Sequence, residues 1–236
     1  MLEKRLSIAS VKRNFSTIRS IINLTISEQD LDCGNAFART FMLEQDRQRR
    51  LPIQIECIRA IQFDCRHMDD DMRWLVALLS GTGMRLGEAV GLSLDDICLD
   101  DETPHINITP HPWRRLETKC RERCVPLVGE ARWAASGAIK GASGSDFLFP
   151  RYNRGSSSNA NSASAAINKW LKPRVPEGWV IHSFIHSMRD RLRAVECPSD
   201  IIDTTGGWTT TGVGQRYGLG QPLDIKAKRM DKLIPL

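Results

Sequence analysis

"GTGMRLGEAVGLSLDDI", residues 81–97, is the stretch on which the reading of the fold turns. A helix-forming run, "DDDMRWLVALLSG", leads into it, opening on acidic residues that suit a helix amino terminus and stopping at Gly81. A glycine turn follows, and then a short helical segment, "RLGEAVGL", in which Arg85 and Glu88 lie three residues apart on one face. Taken alone, that spacing describes a surface ion pair of small energetic value.

Outward from this stretch the pattern is mostly helical. Between Ser7 and Ile26 the apolar residues Val11, Phe15, Ile18, Ile22 and Ile26 recur at intervals of three or four, one face of an amphipathic helix. Turn residues around Gly34 end it, and two helices are expected at about 53–66 and 70–81. "HINITP" and "ERCVPLV" concentrate β-formers and read as a hairpin-like sheet of two or three strands. "RYNRGSSSNANSASAA" reads as an exposed loop leading into a helix around Ala165 to Leu171. Helical segments follow in "HSFIHSMRDRLRAVE", in "PSDIIDTT" with Pro198 in its first turn, and in "DIKAKRMDKL". The fold class is therefore mainly α with a small antiparallel sheet, an α+β arrangement.

Composition narrows the function. The 236 residues are 41% hydrophobic and 26% charged, enough for one good core and a smaller appended unit. No apolar run reaches membrane-spanning length, and "MLEKRLSIAS" is charged where a secretory segment would be apolar, so a cytoplasmic protein without membrane contact is expected. Seven cysteines scattered along the chain fit free thiols better than a disulfide framework. Cys120 and Cys124 lack the paired spacing of a zinc site and read as strand packing, and His105 and His111 read as surface residues. The net charge of +5 is concentrated in "RQRR", "HPWRRLETKCRER" and "KAKRMDK". Such runs can meet a phosphate backbone, although any one of them alone is more often a solvated face.

The motifs are more specific than the composition. T-G-x-R-x-x-E-x-x-x-L-x-x-x-D-I in residues 82–97 resembles the first catalytic box of the tyrosine recombinases, or phage integrases. "GGWTTTGVGQRYG" resembles their last box, with Trp208 nine residues before Tyr217. Between the boxes, Lys119 precedes a V-P-L strand, as does the hairpin lysine of that family, and "HSFIH" is similar to the family's H-x-x-R-H, with His182 opening it and His186 closing it. The resemblance implies a catalytic domain over residues 49–236. Residues 1–48 resemble the last part of a helical core-binding domain whose first helices are missing, as in a fragment or a truncated gene product. It also implies a partner, double-stranded DNA, and a homotetramer assembled on it, with the last helix a candidate for docking into a neighbour.

The chemistry implied is attack of the Tyr217 hydroxyl on a phosphodiester, giving a 3′-phosphotyrosine and a free 5′-hydroxyl, with no metal or other cofactor. Arg85 would bind the phosphate, Lys119 would protonate the leaving oxygen, and His182 would help to deprotonate the nucleophile. Trp208 would pack or hydrogen-bond at the phosphate and Glu88 would orient the arginine and histidine. Arg114, Arg115, Arg121, Arg123 and Arg189 are the expected DNA-binding residues.

The family's second arginine falls at position 185, where this chain has Ile185. The register rests on counting, since position 185 lies 23 residues before Trp208 and 32 before Tyr217. The alternative pairing, His186-x-x-Arg189, displaces the group by about one helical turn, roughly 6 Å, too far for a phosphate ligand without rebuilding the helix. The expectation is a recombinase impaired in cleavage; the alternative is a non-catalytic DNA-binding regulator derived from one. A type IB topoisomerase shares the chemistry but fits the boxes less well.

Overall fold

The computed structural model describes residues 8–40, 51–117, 121–208 and 221–234. Two compact units divide the chain, Met1–Arg49 and Arg50–Leu236. In the first, helix α1 (Ile8–Glu28) carries the expected apolar stripe but has no buried residue. Its return segment is tied on by Arg19, which donates to the Phe37 and Thr40 carbonyls, and by a tilted Phe15–Phe37 ring contact at 6.0 Å.

The second unit holds the core. Helix α2 (Ile55–Met68) and helix α3 (Asp71–Thr82) start within two residues of their expected positions. Asp70 caps α3 by accepting from the Arg73 amide at 3.0 Å. Gly83 closes it with φ +64° and an N–H bond to the Leu79 carbonyl. Every residue of α3 from Leu75 to Ser80 is buried, which makes it the central helix. The short helix α4 (Leu86–Val90) and a 3-10 turn at Leu94–Asp96 lead to the sheet.

Strands β1 (Ile97–Cys98), β2 (His105–Ile108) and β3 (Arg123–Pro126) form an antiparallel sheet in that order. Ile106 pairs with Ile97 and Val125, while His105 pairs with Cys98 and Pro126. Strand alternation therefore turns Ile106, Ile108 and Val125 to the core, where all three are fully buried, and sends Cys98, His105, Asn107 and Cys124 to the other face. Helix α5 (Gly129–Gly141) then packs on α3. The Ser- and Asn-rich stretch differs from its reading as a plain loop. It contains a small hairpin, β4 (Asn153–Arg154) and β5 (Ser157–Ser158), and helix α6 (Ala160–Leu171) begins five residues earlier than expected, capped by Asn159 accepting from Ser162.

Helices α7 (Ser183–Ala194), α8 (Ser199–Gly206) and α9 (Leu223–Asp231) complete the unit. Pro198 stands at the cap of α8 rather than in its first turn. Helix α9 lies against β3 of its own chain, and Met230 and Leu233 are buried there. Its apolar side is thus covered within the chain, where the sequence reading offered it to a neighbour. Among the described residues, no helix is long and apolar enough to cross a membrane.

Candidate functional site

The first expected catalytic pair meets at the start of α4. Arg85 is the cap residue, so its side chain leaves the helix where Glu88, one turn on, folds back to accept from the Arg85 amide at 2.9 Å. The Arg85 guanidinium donates to the Glu88 carboxylate at 3.1 Å, and also to the Gly206 and Gly207 carbonyls at 3.2 and 3.3 Å. Those carbonyls end α8, where no intrahelical donor remains to satisfy them and where the helix dipole favours a cation.

A second guanidinium closes the same carboxylate. Arg123 opens β3 on the face of Ile106, Ile108 and Val125, so alternation points it inward. It donates to Glu88 at 2.9 and 3.3 Å and to the Thr205 carbonyl at 2.8 Å, and its side chain is 3% exposed. Gly207, at φ +62°, is needed here, because a Cβ at that position would lie 2.7 Å from the Arg123 guanidinium. Burial alone would push the Glu88 carboxyl up. The hydrogen bond and charge of Arg123, with the amide and charge of Arg85, outweigh it and hold the group below the usual carboxylate range. Arg85 is drawn below its ordinary value by burial, against the attraction of Glu88, and by the nearby Arg121 and Arg123 charges. Its side chain remains 22% exposed. A guanidinium fixed on one edge and open on another can offer its remaining donors to an anion.

Trp208 follows directly, its amide bonded to the Asp203 carbonyl at 3.0 Å. Over its ring, 4.9 Å from the centroid, sits the Arg189 guanidinium, which also pairs with Asp203 at 2.9 Å. Arg189 belongs to α7, one turn beyond Ile185. His182, exposed, stands at the amino end of that helix, its ring 5.6 Å from that of His186. Ile185 is 6% exposed, yet it lies outside the contiguous apolar core that takes in its neighbours Phe184 and Met188. Helix α7 is locked to the turn before Arg85 by Gly83, where a Cβ would lie 2.5 Å from that of Met188.

One linked network thus brings together Arg85, Glu88, Trp208 and Arg189, and adds Arg123 to the inner set. Lys119 and Tyr217 lie outside the described residues. The basic stretch is less exposed than its composition suggested. Arg114 is 3% exposed, paired with Asp96 at 2.9 Å and bonded to the Thr109 and Gly91 carbonyls, so it braces the sheet and is turned away from solvent. Arg123 is likewise buried. Arg115 is exposed, and Arg121 is half-buried beside Glu117. His105 is buried, with Nδ1 2.9 Å from the Thr103 carbonyl, and His111 bonds Asp96 at 2.9 Å while stacking on Trp113. Neither is the free surface residue the sequence suggested.

The model of the phage integrase family matches residues 54–219. Among solved structures, the Tn1549 transposon integrase in complex with a circular intermediate DNA is 16% identical, with a TM-score of 0.66 over 98% of this chain and 81% of that one. A lambda integrase dimer bound to a core site is 13% identical, with a TM-score of 0.61 over 97% of this chain and 61% of that one. The XerA recombinase is 15% identical, with a TM-score of 0.53 over 100% and 79%. At these identities the likeness concerns the fold. No match was found among the curated proteins.

Proposed function

Because the chain belongs to the phage integrase family, whose model covers most of it, we propose that it binds duplex DNA and is built to break and rejoin strands through Tyr217, with the cleavage step slowed by Ile185. The observation that carries this reading is the half-open Arg85, held by Glu88 and the end of α8 directly beside Trp208. In this reading the Tyr217 hydroxyl attacks the phosphorus and the 5′-oxygen leaves. His182 assists removal of the tyrosine proton, and Lys119 donates one to the leaving oxygen. A 5′-hydroxyl from a second strand then reverses the step. Arg85 neutralises the charge that grows on the non-bridging oxygens, and Glu88 fixes its orientation so that little reorganisation accompanies the reaction. Arg115 and Arg121 supply phosphate contacts that set register on the duplex. A lambda integrase structure is a tetramer on a Holliday junction, and four copies of this chain on two sites is the corresponding assembly.

Ile185 offers neither charge nor donor. Loss of one preorganised donor costs about 10² to 10³ in rate, and a charged bidentate group costs at least that much. Arg189 does not stand free to replace it, because Asp203 and the Trp208 ring already engage its guanidinium. That engagement favours a second reading, a DNA-binding regulator that retains the fold without the chemistry. A nicked suicide substrate separates the two. A slow covalent adduct, abolished in Tyr217→Phe and accelerated about 100-fold or more in Ile185→Arg, supports the enzyme. Tight binding with no adduct from either the parent chain or Ile185→Arg supports the regulator.

A further inference from the structure

The β1–β2 hairpin carries a side-chain cluster that strand cleavage does not use. Cys98 and His105 are direct partners across the antiparallel pair, so both side chains leave the sheet on the face opposite the core. The intervening turn, residues 99–104, folds Asp101 over them. The Cys98 sulfur, an Asp101 carboxylate oxygen and a His105 ring nitrogen all lie within 4.8 Å of one another. Asp101 Oδ2 is 3.7 Å from His105 Nδ1, close to the edge of a tetrahedron built on metal bonds of about 2.0–2.3 Å.

We infer that Cys98, Asp101 and His105 form a binding site for a thiophilic divalent cation of the zinc class, with Nδ1 as the imidazole donor. The donor set decides the class. Thiolate and imidazole select zinc or cobalt over magnesium and calcium, which need oxygen cages. Three side chains in a C-x-x-D-x-x-x-H spacing leave one position for a water, once the Thr103 carbonyl that now accepts from Nδ1 at 2.9 Å turns aside to let the ion reach that nitrogen. Binding displaces the Cys98 thiol proton and the Nδ1 proton now shared with that carbonyl. Around the ligands the same sheet face is polar and fitted. Asn107 donates to the Cys98 sulfur at 3.4 Å and accepts from Cys124 at 2.9 Å, which holds the sulfur in place as outer partners of metal ligands do. His105 is buried at 8% exposure, while Asp101 is 61% exposed at the side-chain level, so an ion enters from the Asp101 side. A bound cation would cross-link the turn between β1 and β2 and stiffen the central strand that pairs with β3.

The test is titration of the full chain, under reducing conditions, with Co²⁺ alone and then with Zn²⁺ in competition. One equivalent of Co²⁺ should produce a thiolate-to-cobalt charge-transfer band in the near ultraviolet and the visible bands of a tetrahedral ion, and Zn²⁺ should abolish both. Cys98→Ser should remove the charge-transfer band. Asp101→Asn, at an exposed position that leaves folding intact, should weaken Zn²⁺ binding about 10-fold or more. Cys33→Ser, at an exposed cysteine of the other unit, should change neither. A charge-transfer band that persists in Cys98→Ser, Co²⁺ binding without such a band, or Zn²⁺ affinity unchanged in Asp101→Asn would each overturn the site. The readout is independent of DNA and of strand cleavage.

Discussion

Glu88 is a carboxylate nearly shut off from water, and its value depends on what surrounds it. It accepts from two guanidinium groups and one amide, and it is 4% exposed. Its pKa in the folded chain lies below the unfolded value, so the stability it contributes is present above the usual carboxylate range and is lost as pH falls through the depressed folded value. Glu88→Gln should therefore cost about 3 kcal/mol at neutral pH, since it leaves the buried Arg123 and the half-open Arg85 without their shared anion. The difference between parent and variant should shrink steadily as acid protonates Glu88 in the parent. Equilibrium urea unfolding over a pH series checks this. A difference that stays constant down to the acid limit would mean that the carboxylate is not ionised in the fold. The same residue couples stability to the site, because Arg85 loses its anchor in the variant and adduct formation should fall with it.

The junction between α3 and α7 turns on Gly83, which ends one helix in the left-handed region and allows the other to approach. Gly83→Ala meets two penalties. A left-handed backbone costs an L-residue roughly 1–2 kcal/mol, and forcing a methyl against Met188 adds about 1–3 kcal/mol. The variant should lose about 3 kcal/mol in denaturant unfolding, and Ile185→Arg placed on top of it should no longer restore cleavage, because α7 would be displaced relative to Arg85. Full restoration in the double variant would show that this junction does not position the helix. How much of the architecture could be read from sequence is also decided between elements. Periodicity marked α1, while an acidic opening, a glycine stop and Pro198 marked the ends of α3 and α8. It could not find β4 and β5, since two-residue strands carry no alternation to detect and their Ser and Asn content signals turn. It described the face of α1 correctly but could not say that nothing in its own unit buries it. Arg123 was legible in principle. "RCVPL" places it in phase with Val125 and Leu127, and that alternation outweighs the local excess of charge that made it look like a surface group. The hairpin cluster has no C-x-x-C spacing to announce it, because the register across β1 and β2 is what brings Cys98 and His105 together.

At the scale of the whole molecule, a net charge of +5 does not say which cations a polyanion can reach, because Arg114 and Arg123 are enclosed with Asp96 and Glu88 as buried ion pairs. Arg114 and Arg115 make the contrast within two residues. Arg114 is enclosed with Asp96 and backbone carbonyls, and Arg115 is exposed. DNA affinity should fall linearly on a log–log plot against salt, with a slope of about −0.9 for each phosphate neutralised. Arg115→Ala should reduce that slope by about 1 while leaving the unfolding midpoint where it was. Arg114→Ala should leave the slope unchanged and cost about 3 kcal/mol of stability, since it takes the paired guanidinium from the buried Asp96 carboxylate. Binding isotherms over a salt series, paired with urea unfolding of the same variants, measure both quantities. If Arg114→Ala lowered the slope as much as Arg115→Ala did, the hairpin would have to open on the duplex and expose the arginine. The field that DNA meets would then differ from the one the free chain presents.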